Sequence, residues 1–278
     1  MHFAPSTYYA IKSRNPSARS LRDEELKLKI IEVHKDNYSV YGLRKLWAGL
    51  KREGIDIARC TTSRLMADLG ICGVRRGKTY VTTTISDELQ ERPKDLVKRV
   101  FTASAPNRLW VSDITYVKTR VGWAYTAFLV DVYSRKIVGW KVSASLRSDL
   151  ATDALEMALA SRGGVFENLT HHSDRGVQYL SVSYSQALLD AGIAPSVGTT
   201  GDSYDNALSE SNNALYKTEM VRTHGDFNGT ADLEWATLLW VDWFNNRRLH
   251  GSIGMIPPSE FKSNYYTQRE LENRSVLK

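Results

Sequence analysis

Residues 109–132 read LWVSDITYVKTRVGWAYTAFLVDV. Leu109–Lys118 and Trp123–Val132 are both rich in β-branched, aromatic and aliphatic residues, the composition of strands. Ile137–Val142 is a third such run. The three lie close enough in sequence to form an antiparallel meander. Asp113 sits inside the first strand, in the word LWVSDITYV, where an ionisable residue is out of place unless something requires it.

Downstream the pattern changes period. Ser148–Ser161 places Leu150, Ala154, Leu155, Ala158 and Leu159 at helical spacing. Leu169–His172 is a short strand leading to Asp174, Ser181–Ala191 a helix, and Ile193–Val197 another strand; a helix-like stretch carrying Glu210 follows. Three antiparallel strands and then helix, strand, helix, strand and helix predict an α/β, ribonuclease-H-like core, a mixed five-stranded sheet with flanking helices.

Sixty residues separate Asp113 from Asp174, and 35 separate Asp174 from Glu210. Three carboxylates gathered at one end of a sheet suit divalent metals, because magnesium takes oxygen ligands and keeps several waters. Two metals about 3.5–4 Å apart stabilise the attacking and leaving oxygens of a phosphodiester displacement. Asp113, Asp174 and Glu210 are therefore expected to be catalytic and to bind two magnesium ions, with manganese as an alternative. On the Glu210 helix, Asn206, Asn213 and Lys217 share its side at 3.6 residues per turn, with Leu208 and Leu215 opposite. Lys217 suits a single-point phosphate contact, and Asn206, Asn213 and Arg175 are further DNA-contact candidates. Asp131 is either a further metal ligand or a structural residue, pairing with Arg135 or capping the turn. His171 and His172 read as packing or supporting groups. Ser173 lacks the partners of a nucleophile. The Gly198–Gly201 loop (GTTG) feeds the Glu210 helix.

The 278 residues carry a net charge of +6. The excess is confined to residues 1–100, with 20 Lys and Arg against 12 Asp and Glu, while residues 101–278 hold 17 against 19. A basic N-terminal region suits a polyanion. Two cysteines, Cys60 and Cys72, do not make a zinc site. No apolar run approaches the roughly 20 residues of a membrane span, and the N-terminus lacks a signal-peptide core, so a cytoplasmic protein is expected.

Within the basic region, residues 23–35 form an amphipathic helix with acidic residues first. Tyr41-Gly42 is a break. Leu43–Lys51 is a second helix ending at Gly54, and a third, capped by Thr61 or Thr62, ends at Gly70. Short helices with basic outer faces predict a helix-turn-helix. In it Thr61, Thr62 and Arg64 open the recognition helix, and Arg75, Arg76 and Lys78 form a phosphate-contacting arm. The expected organisation is a helical DNA-binding region over 1–80, a linker over 81–105 with a short helix at Asp95–Phe101, a catalytic core over 106–265, and a tail over 266–278. Near the end, a helix with Trp235, Trp240 and Trp243 is expected to cover the sheet. Arg247, Arg248 and His250 either touch DNA or fix the tail.

The words WVSDITYV, VDVYSRKIVGW, HSDRGVQY, SYDNALSESNNALYKTE and WFNNRRLHGSIGMIPP resemble the integrase core of bacterial insertion-sequence transposases, most closely the OrfB frame of the insertion-sequence-three family. STYYAIKSR, YSVYGLRKLWAGLKREG and RCTTSRLMADLGICG resemble that family's preceding segment. The resemblance implies a metal-dependent enzyme that cuts and joins the ends of its own element. In this chain the acidic triad falls on Asp113, Asp174 and Glu210, and the basic residue of the glutamate helix on Lys217. It also implies action as a homo-oligomer on double-stranded DNA, the terminal inverted repeats and the target. In that family an upstream frame, OrfA, usually supplies another helix-turn-helix and a coiled coil; no long heptad run occurs here, so an OrfA protein is an expected partner. Retroviral integrases are similar more distantly, and their His-His-Cys-Cys module has no counterpart in residues 1–100.

Two other classes compete. A non-catalytic DNA-binding regulator would tolerate a broken triad, and this triad is unbroken. A ribonuclease-H-like nuclease needs neither the basic N-terminal region nor Lys217.

Overall fold

The computed structural model describes residues 9, 14–75, 95–97, 100–161, 168–174, 176, 178–198 and 207–276. Arg76, Lys78, Arg175, Asn206 and most of the GTTG loop lie outside them. The chain divides into two compact units, residues 1–74 and 75–278.

The first unit is a bundle of α1 (Ala18–Asp36), α2 (Leu43–Arg52) and α3 (Arg59–Asp68). Its core is Leu26, Ile30, Val33, Leu46, Leu50, Leu65 and Met66. Helix α1 begins five residues earlier than its acidic residues suggest, because Ser17 caps it by accepting the Ser20 N–H at 3.2 Å. The reversal into α2 is made at Tyr38 and Ser39, both at positive φ. Gly54 (φ 79°) and Gly70 (φ 66°) take the left-handed conformations that end α2 and α3, as expected of glycine there. Helix α3 is not capped by a threonine. Its N-cap is Ala58, and Thr62 lies a turn inside, fully buried, its hydroxyl donating to the Ala58 carbonyl at 3.1 Å.

The second unit is built on a five-stranded sheet in the order β3-β2-β1-β4-β5. The strands are β1 (Leu109–Thr119), β2 (Gly122–Asp131), β3 (Ile137–Ser143), β4 (Thr170–Ser173) and β5 (Ala194–Val197). The first three form the antiparallel meander, and β4 and β5 add in parallel. Helix α4 (Ser148–Ala160) connects β3 to β4, and α5 (Val182–Asp190) connects β4 to β5. One face of the sheet buries Trp110, Ala127, Leu129 and Val138 against Leu150, Ala151, Ala154 and Leu155 of α4 and Tyr184 and Leu188 of α5. Gly139 permits that approach: a Cβ there would stand 2.1 Å from the Ala154 carbonyl oxygen.

The other face is covered by α6 (Ala207–Tyr216) and α7 (Thr230–Asn246). Phe128 of β2 packs edge-on against Tyr216 (4.9 Å between centroids) and Trp240 (6.0 Å). Trp240 and Trp243 are buried as expected, whereas Trp235 is 62% exposed. Helix α8 (Pro258–Val276) continues past residue 265 without a break. The short helix expected at Asp95–Phe101 is not formed by its described residues. Asp95 Oδ1 accepts the Val97 N–H at 2.9 Å, and the Leu96 N–H donates to Ser196 Oγ at 2.9 Å, so the local donors are taken from a helix.

Candidate active site

Strand β4 pairs with β1 only as far as Ser112–Ser173. In a parallel pair, neighbours share a face, so the next residues, Asp113 and Asp174, emerge side by side where β4 ends and β1 runs on paired with β2 only. Helix α6 packs along β1 beyond that point and carries Glu210 in its first turn. The middle of β1, the end of β4 and the start of α6 thus bring the three carboxylates within range of one another's charge, at the carboxyl edge of the parallel strands, where α/β sheets hold ligands.

The electrostatics agree. The Asp113 carboxyl is pushed well above the usual carboxylate range, first by burial and then by the charges of Asp174 and Glu210. Asp174 is raised chiefly by burial, and Glu210 by burial and then by Asp174. For Glu210 the helix N-terminus should favour the anion, yet burial beside a second carboxylate wins. Each Asp113 oxygen accepts one hydrogen bond, Oδ1 from Ile114 N–H (2.8 Å) and Oδ2 from Asn213 Nδ2 (2.8 Å), which leaves a lone pair on each. Asp174 Oδ1 accepts the Gly176 N–H at 3.0 Å. Among the described residues no three ligands already close around a point. The donor set nevertheless fits a hard divalent cation: carboxylate oxygens, partly desolvated, with uncompensated charge.

Asn213 therefore does something other than expected. It is buried and bonded to Asp113, tying α6 to β1. The buried stripe of α6 is Ser209, Asn212, Asn213 and Tyr216, while Leu208 and Leu215 are only half-buried. The polar side of the helix faces the sheet. Lys217 is half-buried, with Nζ 4.4 Å from the centroid of the Tyr116 ring. Burial lowers its pKa, against the opposing pull of Asp113.

The remaining candidates sort clearly. Asp131 is fully buried and caps its turn: Oδ1 accepts Ser134 N–H and Oγ (both 2.7 Å), and Oδ2 accepts Asn107 N–H (2.7 Å). His171 packs with the Tyr184 hydroxyl at 2.8 Å and is held neutral, its pKa pushed down to about 3 by burial and His172. His172 Nδ1 lies 2.9 Å from Ser196 Oγ. Arg248 and His250 are buried and fix the structure, and Arg247 pairs with Asp242 at 3.2 Å on the surface. In the N-terminal unit Thr62 cannot meet a base, being buried. Arg64 is tied to Asp23 at 2.9 Å, Thr61 is half-buried, and Arg75 is exposed. The exposed residues of α3 are Arg59, Cys60, Ser63, Ala67 and Asp68, a face that begins before the Thr61 cap expected from the sequence.

Residues 103–203 match the family described as integrase core domain, and residues 191–258 a second family of the same description. Residues 20–79 match the HTH-like domain. The chain is 51% identical over 274 residues to the putative transposase for insertion sequence element IS986/IS6110 of Mycobacterium tuberculosis (strain ATCC 25177 / H37Ra), covering 97% of this chain and 98% of that one. To the transposase for insertion sequence element IS629 of Shigella sonnei it is 48% identical over 271 residues, covering 96% and 90%. Among solved structures it is similar to the HTLV-2 integrase catalytic core domain in complex with magnesium (trimeric form), with TM-score 0.47, 16% identity and 58% and 99% coverage. It is also similar to the simian T-cell lymphotropic virus intasome in complex with PP2A regulatory subunit B56 gamma, with TM-score 0.49, 15% identity and 84% and 74% coverage.

Proposed function

Because the chain belongs to the insertion-sequence-three family of transposases, we propose that it cuts and joins DNA at its element's ends through Asp113, Asp174 and Glu210. The observation carrying this reading is the register of β1 and β4, which sets Asp113 beside Asp174, with Glu210 near enough to raise the Asp113 pKa. Divalent metal at these carboxylates, two magnesium or manganese ions per site, would supply charge stabilisation for the attacking and leaving oxygens. The chain's own residues do the rest. Asn213 orients Asp113 by donating to Oδ2. The half-buried Lys217 ammonium, held over Tyr116, meets a phosphate of the element end. No protein nucleophile takes part, and Ser173 is buried.

The substrate is double-stranded DNA carrying terminal inverted repeats, together with a target duplex. Residues 106–265 act as the catalytic core. The helical region over 1–80 holds DNA by the exposed face of α3 and by Arg75, Arg76 and Lys78. The active species is a homo-oligomer on paired ends, aided by an OrfA protein. The test is a supercoiled plasmid bearing both element ends, incubated with the chain with and without magnesium, beside Glu210→Gln. The expected result is magnesium-dependent cutting at the end junctions by the parent and none by the variant, with DNA still bound by both. Undiminished cutting by Glu210→Gln would overturn the assignment, and bound but uncut DNA with the parent would make the OrfA protein the next component to supply.

A further inference from the structure

Helix α6 does not continue as an α-helix beyond Tyr216. Lys217–Val221 is a π-helix, with the Arg222 N–H bonded five residues back to the Lys217 carbonyl. The Thr223 hydroxyl donates to the Thr218 carbonyl at 3.2 Å. Such turns are rare and gather at functional sites, so a specific contact is expected to hold this one.

That contact is buried. Glu219, in the middle of the π-turn, is 6% exposed, and Arg248 is 3% exposed. Arg248 grips both carboxylate oxygens, Nη2 to Oε1 at 2.5 Å and Nε to Oε2 at 2.7 Å. The arginine follows α7, and its own N–H returns to the Trp243 carbonyl at 2.8 Å. Its guanidinium lies 5.3 Å from the Phe244 ring centroid and 5.9 Å from that of Trp243, and Nη1 is 3.1 Å from His250 Nε2. A buried ion pair adds little stability over an apolar pair of the same size, and its best use is to fix geometry. What it fixes here stands two residues from Lys217.

We propose that Arg248 is a positioning residue: by gripping Glu219 it holds the π-turn that lays Lys217 over Tyr116, where Lys217 meets DNA. The inference rests on the reading of Lys217 as a DNA contact. Lys217 opens the π-turn where the α-helical run carrying Glu210 ends at Tyr216, so the turn bears on how Lys217 is seated against Tyr116. Without the grip, the segment relaxes toward α-helical register and Lys217 leaves its place against Tyr116.

The test replaces the pair with an apolar one, Glu219→Met with Arg248→Met, and separately makes Arg248→Lys, which keeps the charge but loses the two-pronged grip. Melting temperature verifies folding. The first readout is the acylation rate of Lys217 Nζ in the full chain, compared by mass spectrometry with that of Lys118 and Lys141. The inference expects Lys217 to label several-fold faster in both variants while the other lysines stay unchanged. The second is plasmid-end cutting with and without Lys217→Ala. In the parent, Lys217→Ala should slow cutting, and misplacement of this kind can cost about a hundredfold. In the apolar-pair or Arg248→Lys background the same substitution should add less than about twofold, because the positioning is already lost. Unchanged Lys217 labelling in folded variants, or an equal slowing of cutting by Lys217→Ala in every background, overturns the proposal. If labelling rises but Lys217→Ala never affects cutting, the positioning stands and the assignment of Lys217 to DNA falls.

Discussion

At the scale of single residues, the site is governed by how Asp113 is held. Its Oδ2 accepts from Asn213, and hydrogen bonds behind a metal ligand typically matter 10–100-fold for metal affinity or activity. Asn213→Ala should therefore weaken manganese binding by about tenfold or more and leave DNA affinity within about twofold, as read by titration and by filter binding. A second prediction follows from the raised pKa of Asp113. The folded chain holds that proton more tightly than the unfolded chain does, so in the absence of metal the stability it contributes is present below 3.8 and lost as pH rises through the raised value. Asp113→Asn should accordingly raise the metal-free melting temperature at neutral pH by a few degrees, about 2–4 °C per kcal/mol for a chain of this size, and an unchanged or lower value would contradict it. The three acids were legible from their spacing and flanking words. The role of Asn213 was not, because helical periodicity reveals which residues share a face but not what faces them. Thr62 failed for a related reason: threonine suits both an N-cap and a buried turn, and only packing decides between them.

At the scale of elements, strands and helices of the core were legible to within a residue or two, since their apolar runs are long and their periods distinct. The short segment at Asp95–Phe101 was not, because Asp95 and Ser196 capture backbone donors that composition assigns to a helix. Helix α1 began earlier than its acidic residues because Ser17, not the charge pattern, sets its start. The packing of α4 on β3 depends on one missing side chain. Gly139→Ala places a Cβ 2.1 Å from the Ala154 carbonyl oxygen and 2.9 Å from Ala158 Cβ. Forcing atoms into such a contact costs about 1–3 kcal/mol, so thermal unfolding of this variant should occur several degrees lower, with no selective loss of metal binding.

At the scale of the whole molecule, charge and chemistry are divided along the chain: the basic excess lies in residues 1–100, and Asp113, Asp174 and Glu210 lie beyond it. DNA binding by the full chain should therefore persist without metal and weaken steeply with salt. Arg59→Ala, on the exposed face of α3, should reduce the slope of log affinity against log salt by about one if it meets a phosphate. No helix among the described residues is long and apolar enough to cross a membrane. The π-turn after α6 was not legible, since no local pattern marks a turn held by Glu219 and Arg248 from a distance of 29 residues. The most direct test of the central claim is a manganese titration of the DNA-bound chain, followed by electron paramagnetic resonance, for the parent and for Asp113→Asn, Asp174→Asn and Glu210→Gln. The account predicts two bound ions per chain in the parent and loss of at least one in each variant with DNA still held; undiminished binding in all three variants would contradict it.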